Sequence, residues 1–202
     1  IETLGDVWVE IRRNRLLRCR GGGIYLHTAL HPVLEGNTIT DCRAVEGAGI
    51  WCGGEGLLAW NNLIARNTAE GKGGGIYVAT VSHAIVGNTV VSNAAAFGGG
   101  MAIAQGHVVL DRSIANNLVA FNTSGLWREN GPDPVFACND VFGSVGQDYD
   151  GFTNPTGSNG NISVDPLLVD RANWNYHLSA GSPCINAGSN THAALPADFE
   201  GD

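Results

Sequence analysis

Aromatic residues recur in this chain at a spacing suited to carbohydrate contact. Tyr25, Trp51, Tyr77 and Trp127, with Ala102 in the fourth place, each follow an apolar residue that closes a glycine-containing phrase. Rings projecting from successive turns of a repeat form an apolar strip on which sugar rings can stack, so these are the candidate ligand-contact residues and a polysaccharide is the candidate partner. The competing reading is that another segment covers the rings, or that they only stabilise one another. A second set is acidic: Asp140, Asp148 and Asp150 stand close to glycine turns. Such hard oxygen ligands suit Ca²⁺, the one cofactor expected, although no complete calcium-loop motif is present.

Catalysis is harder to place. Polysaccharide cleavage needs convergent carboxylates, or a calcium cradle beside a basic residue. In the repeat, the column Arg18, Asp41, Arg66, Ser92, Phe121 reads as alternating charges, and Arg12, Glu35, Trp60, Val86, Ala115 is no richer. Neither supplies two acids in succession, and the single lysine, Lys72, sits in a glycine corner. His27 and His31 would share the face of a helix, but no helix is expected there, and His83 reads as a satisfied edge residue among apolar neighbours. Catalytic residues are therefore left unassigned. A polysaccharide lyase or glycoside hydrolase remains an alternative, with acids from loops 128–134 and 143–161 approaching Arg66 or Arg112. A protein-binding adhesin using the aromatic strip is another.

Two interleaved phrases position these residues. The first is Gly21-Gly22-Gly23-Ile24-Tyr25, Gly47-Ala48-Gly49-Ile50-Trp51, Gly73-Gly74-Gly75-Ile76-Tyr77 and Gly98-Gly99-Gly100-Met101-Ala102. The second carries Asn14, Asn37, Asn62, Asn88, Asn117 and Asn139, each followed five residues later by Cys19, Cys42, Asn67, Asn93, Asn122 or Ser144. The shared period of 25 to 26 residues over most of this stretch marks a solenoid. Within each period the apolar residues alternate, as strands require. Four inward columns result: Ile24, Ile50, Ile76, Met101, Leu126; Leu26, Cys52, Val78, Ile103; Leu16, Ile39, Ile64, Val90, Val119; and Ile11, Leu34, Ala59, Ile85, Ile114. The asparagines read as structural ladders and the glycines as corners.

Composition bounds the alternatives. The 202 residues suit one domain, and 44% hydrophobic content is enough for a core. The net charge of -8 is uneven: residues 1–128 hold ten Lys and Arg against nine acids, whereas residues 129–202 hold Arg171 against ten acids. No basic stripe of the kind that nucleic acid needs stands out, and no apolar run is long enough for membrane insertion. The start at Ile1 suggests a trimmed or excised chain. Five cysteines cannot all pair within the chain; Cys138 and Cys184 are the better disulfide candidates, and Cys19 with Cys42 should stack or bond.

The Gly-Gly-Ile-Tyr and Gly-Asn-Thr-Ile phrases, over about residues 7–145, resemble the right-handed parallel β-helix repeat proteins of bacterial surfaces and secreted polysaccharide enzymes. The run Asp165-Pro166-Leu167-Leu168-Val169-Asp170, Asn175-Tyr176-His177-Leu178 and Gly181-Ser182-Pro183-Cys184-Ile185-Asn186-Ala187-Gly188 resembles the closing segment of choice-of-anchor Q proteins. In those relatives Asp198 to Asp202 would continue further, which implies a chain that stops before its natural end. The expectation is thus an all-β, single-stranded, right-handed parallel β-helix over residues 1–145, with an irregular acidic segment over 146–202 capping the last coils. The resemblance implies an extracellular or cell-surface location and is specific for fold but not for activity; the lack of paired acids in the repeat columns makes the expectation a non-catalytic, structural or glycan-contacting module of a larger bacterial protein.

Overall fold

The computed structural model describes residues 1–3, 8–80, 83–105 and 113–192. Three parallel sheets run the length of a solenoid, each taking one short strand from each coil. Sheet A joins Glu2–Thr3, Ile24–Leu26, Ile50–Cys52, Ile76–Val78, Met101–Gln105, Leu126–Asn130 and Tyr149–Asp150 in that order. Sheet B joins Glu10–Arg12, Val33–Glu35, Leu58–Trp60, Ala84–Val86, Ser113–Ala115 and Val135–Ala137. Sheet C joins Arg15–Leu17, Thr38–Thr40, Leu63–Ala65, Thr89–Val91, Leu118–Ala120 and Asp140–Phe142. Among the described residues the only helical piece is a 3₁₀ turn, Arg171–Asn173. The all-β parallel solenoid expected from the repeat is the observed fold.

The register follows the apolar columns. Ile24 pairs with Ile50, Ile50 with Ile76, Ile76 with Met101 and Met101 with Leu126, and all five are buried. The Leu16 and Ile11 columns pair in the same way and gain Val141 and Phe136 at their C-terminal ends. A sheet A strand such as Ile24–Leu26 turns two residues inward and one outward, so it carries twice the core of a strand in sheet B or C. Glycine is needed at the corner before it for two reasons. Gly73 has a φ of 66°, whereas Gly75 has no room for a side chain, because a Cβ there would lie 2.5 Å from the Gly100 carbonyl oxygen.

Sheets B and C meet at a corner where the residue before each ladder asparagine is left-handed: Arg13, Gly36, Asn61, Gly87, Asn116 and Cys138 all have φ between 51° and 66°. The ladder asparagines themselves are not the left-handed residues. The corner points their amides inward instead. The Oδ1 of Asn88 accepts from the backbone N–H of Asn62 at 3.0 Å and from its Nδ2 at 2.9 Å, while Asn88 Nδ2 donates to the Ala59 carbonyl and to Asn117 Oδ1. The pattern repeats through Asn14, Asn37, Asn117 and Asn139 and adds a rung at Asn161. A parallel ladder of Cys19, Cys42, Asn67, Asn93 and Asn122 runs along the far edge of sheet C.

The Asn161 rung carries the coil pattern past residue 145, with Ile162 bridged to Asp140. The end of the core is closed by the rings of Phe136, Tyr149 and Phe152, which meet edge to face at 5.3 to 5.5 Å. Leu168–Asp170 and Asn175–Leu178 form an antiparallel pair that lies along the outer face of sheet C, where Leu168 and Tyr176 pack against Ala65, Val91 and Ala120. The expected end cap is therefore mainly a side strap.

Replacing Asn62 or Asn88 with Leu strands buried amide and carbonyl groups on both neighbouring coils, at about 1–3 kcal/mol each. Chemical denaturation should show a clearly lower urea midpoint for both variants; midpoints equal to that of the parent protein would remove the ladder from the account of stability.

Candidate functional site

The aromatic ladder lies on the outer side of sheet A, as period-two alternation requires, with Tyr25 paired in register to Trp51, Trp51 to Tyr77, Tyr77 to Ala102 and Ala102 to Trp127. It is not the flat, uniformly open strip expected from the sequence. Tyr25 and Trp51 stack face to face, with centroids 4.2 Å apart and planes 8° apart, so each stands on edge along the solenoid. The indole leans over Gly53, where a Cβ would come within 2.7 Å of Cζ3. Both rings are half-buried, and the exposed imidazole of His27 lies 6.0 Å from the indole and 6.4 Å from the phenol ring.

Further along, the ladder closes. Tyr77 is only 6% exposed, packed with Trp51, Trp127, Ala102 and Ala104. Burial, reinforced by Glu46, pushes its phenol above the ordinary pKa. Trp127 carries the Lys72 ammonium 5.2 Å above its ring, and Lys72 also bonds Glu129 at 3.1 Å; the Phe97 ring packs beside it. The hydrogen bond to Glu129 holds Lys72 protonated, with its pKa raised. Of the four expected contact residues, Tyr25, Trp51 and Trp127 are each half-buried, Trp127 beneath Lys72, and Tyr77 is closed off.

The acidic candidates separate. Asp140 belongs to sheet C and is 5% exposed; its Oδ1 accepts from the Val164 N–H and its Oδ2 from the Cys184 thiol at 3.1 Å. Asp148 accepts from the Ser144 N–H, and Asp150 pairs with Trp127 at the end of sheet A. Among the described residues no three His, Cys, Asp or Glu side chains gather into a metal-binding group, so the expected calcium set of Asp140, Asp148 and Asp150 does not assemble. The same holds for His27 and His31; His31 packs beside Trp8. His83 is buried with Nε2 2.9 Å from the Thr80 carbonyl oxygen, as a structural histidine would be.

Arg66 answers the question of whether acids from the C-terminal part reach the coil face. It forms a bidentate pair with Asp41, at 2.8 and 2.7 Å, as its charge column implied. Its remaining Nη1 donates to the Tyr176 hydroxyl, and its guanidinium lies 4.2 Å from the Trp174 ring. Among the described residues the strap thus brings aromatic groups to Arg66 and no carboxylate. Arg112 lies outside the described residues.

Sequence reasoning missed a cavity of about 190 Å³ between the strap and the corner of sheets B and C, lined by Asn116, Cys138, Asp140, Tyr176 and Cys184 among others. Cys138 and Cys184 reach this one space, yet all five cysteines are free thiols, so the expected disulfide is not formed. Cys19 and Cys42 stack without bonding. Desolvation, together with the hydrogen bond to Asp140, pushes Cys184 up to about 12; burial likewise raises the Asp140 carboxyl.

A family model described as the right handed beta helix region matches residues 1–164. Neither the curated proteins nor the solved structures contain a match.

Two measurements follow from these environments. The Asp41 carboxyl is held below the usual range, first by its hydrogen bonds to Arg66, so the pair stabilises the fold above the unfolded carboxylate pKa of about 3.9 and is lost as pH falls through the lowered folded value. The stability of Asp41→Asn should therefore depend less on pH across that acid range, and an unchanged acid profile would contradict the assignment. Native alkylation at pH 8 should leave Cys42, Cys52 and Cys184 unmodified, since the thiolate is the nucleophile and burial raises all three. Mass spectrometry should find Cys184 labelled faster in Asp140→Asn; equal labelling would exclude the carboxylate as a cause of its low reactivity.

Proposed function

The chain belongs to the right-handed β-helix family, and we propose that it serves as a non-catalytic, secreted or cell-surface module of a larger bacterial protein that contacts polysaccharide through Tyr25 and Trp51. The observation that carries this reading is the stacked pair itself. Two rings locked at 4.2 Å stay half-buried with only the His27 ring beside them, whereas Tyr77 is closed off and the half-buried Trp127 is engaged by Lys72 and Phe97. Tyr and Trp combine an apolar body with a polar handle, which suits a sugar's mixture of C–H faces and hydroxyls. Stacking fixes both rings before any ligand arrives, so little side-chain entropy is lost on contact. His27 supplies a further ring beside them.

A lyase or hydrolase would need carboxylates converging on a coil face. Asp41 is committed to Arg66, Asp140 to Val164 and Cys184, and Asp133 to Arg128, which leaves the non-catalytic reading better supported. The secreted or surface location rests on the resemblance of the closing segment to that of surface proteins.

Affinity electrophoresis through gels containing soluble neutral and acidic polysaccharides tests the proposal. At least one polymer should retard the protein, and Trp51→Ala and Tyr25→Ala should each weaken that retention by about tenfold, a loss of about 1.4 kcal/mol. The melting temperatures should fall by only the few degrees that one lost ring pair implies. Retention unchanged in both variants, or no retention of the parent protein by any polymer, would overturn the assignment.

A further inference from the structure

The first coil concentrates positive charge that the overall balance of residues 1–128 conceals. Arg12, Arg13, Arg15, Arg18 and Arg20 fall within nine residues, and Arg43 adjoins them on the second coil, where it bridges directly to Arg20. All six are exposed. Leu16 faces the core, so Arg15 points outward from sheet C, while Arg13 and Arg18 occupy the left-handed corners at either end of that strand.

The fold neutralises little of this charge. Arg12 is paired with Glu10 and Glu35, and Asp41, which also feels the charge of Arg18, is already engaged by Nε and Nη2 of Arg66. Arg13, Arg15, Arg18, Arg20 and Arg43 form no ion pair among the described residues. Like charges on neighbouring strands repel, so Arg20 beside Arg43 contributes nothing to the stability of the coil. Among the described residues the strap does not cover this surface. It covers Leu63, Ala65, Val91, Leu118 and Ala120 and ends against Arg66, placing Trp174, 58% exposed, one coil beyond Asp41, whose corner column begins at Arg18. Leu17, 44% exposed, lies between Arg15 and Arg18.

We propose that this first-coil surface, formed by Arg15, Arg18, Arg20 and Arg43 with Trp174 at its border, binds an anionic polysaccharide. Planar guanidinium forks match carboxylate and sulfate groups bidentately. Several of them spread around one coil favour a repeating anion over a single ion, while Leu17 and Trp174 offer apolar contact to the sugar rings between the charges. Duplex nucleic acid fits poorly, because no helix or β-ribbon projects here to enter a groove. Single-stranded nucleic acid is read by a series of stacking rings, and one tryptophan at the border does not make a series. The site is separate from the Tyr25–Trp51 pair and does not depend on its role.

Calorimetry with polygalacturonate, dextran sulfate, neutral dextran and an oligothymidylate tests the proposal. The parent protein should bind polygalacturonate or dextran sulfate and lose affinity as salt rises from about 50 to 200 mM, through counterion release. The two polymers distinguish carboxylate from sulfate as the preferred anion. A triple variant, Arg15→Gln with Arg18→Gln and Arg20→Gln, should bind about tenfold more weakly with an unchanged melting temperature, since the replaced side chains are exposed and unpaired. Trp174→Ala should weaken binding without altering the salt dependence. Trp51→Ala should bind the anionic polymer normally, which separates failure here from failure at the aromatic pair. The proposal is overturned if neither anionic polysaccharide binds, if the triple variant binds as tightly as the parent, if neutral dextran binds equally well, or if the oligothymidylate binds more tightly than both polysaccharides.

Discussion

The structure depends on the satisfaction of amides buried inside each coil. An asparagine at the corner of sheets B and C has no access to water, so both ends of its amide need partners within the protein. The equivalent asparagine of the next coil, in register one strand spacing away, supplies them: Asn37 to Asn62, Asn62 to Asn88, Asn88 to Asn117. A coil displaced by one residue would break the rung and turn its apolar residues to solvent. The ladder therefore locks the register of all three sheets, and the apolar columns and glycine corners are consequences of that register.

A solenoid built this way has one long surface per sheet, and the chain treats the three differently. Sheet C is dressed by the C-terminal strap, which buries Ala65, Val91 and Ala120 and anchors itself through Tyr176 on Arg66, Cys184 on Asp140 and Ser189 on Asn116. Those anchors engage Arg66, the calcium candidate Asp140 and the disulfide candidate Cys184. Their shifts follow: Asp41 down through its ion pair, Asp140 and Cys184 up through burial.

What stays open is the N-terminal part of the solenoid. There the Tyr25–Trp51 stack stands on the outer side of sheet A, and the coil edge carries arginines that form no ion pair among the described residues. At the other end Phe152 and the turn before Asn161 close both the core and the ladder, with Asn161 Nδ2 donating to Ser158 and Phe136 carbonyls.

The coil architecture was legible without coordinates because strand periodicity and repeat period are properties of the sequence alone: Ile24, Ile50 and Ile76 had to share a column once the period was known. The same logic sent Tyr25, Trp51 and Tyr77 outward, but orientation relative to a sheet does not determine exposure. Lys72, Phe97 and Ala102 decide which rings remain open, and they come from corners and positions with no counterpart in every repeat. Nor could composition reveal the arginine surface, because the nearly balanced charge of residues 1–128 averages over positions that the coil separates in space. The path of the strap was the least legible feature. Nonrepeating residues carry no period to project, and where they pack depends on the outward Ala and Leu of sheet C presenting an apolar face. The sequence by itself determined the repeat, the core and the ladders, since each follows from local alternation at a constant spacing; only the tertiary structure decided which outward groups are covered, paired or free, because that depends on contacts between segments far apart in the chain.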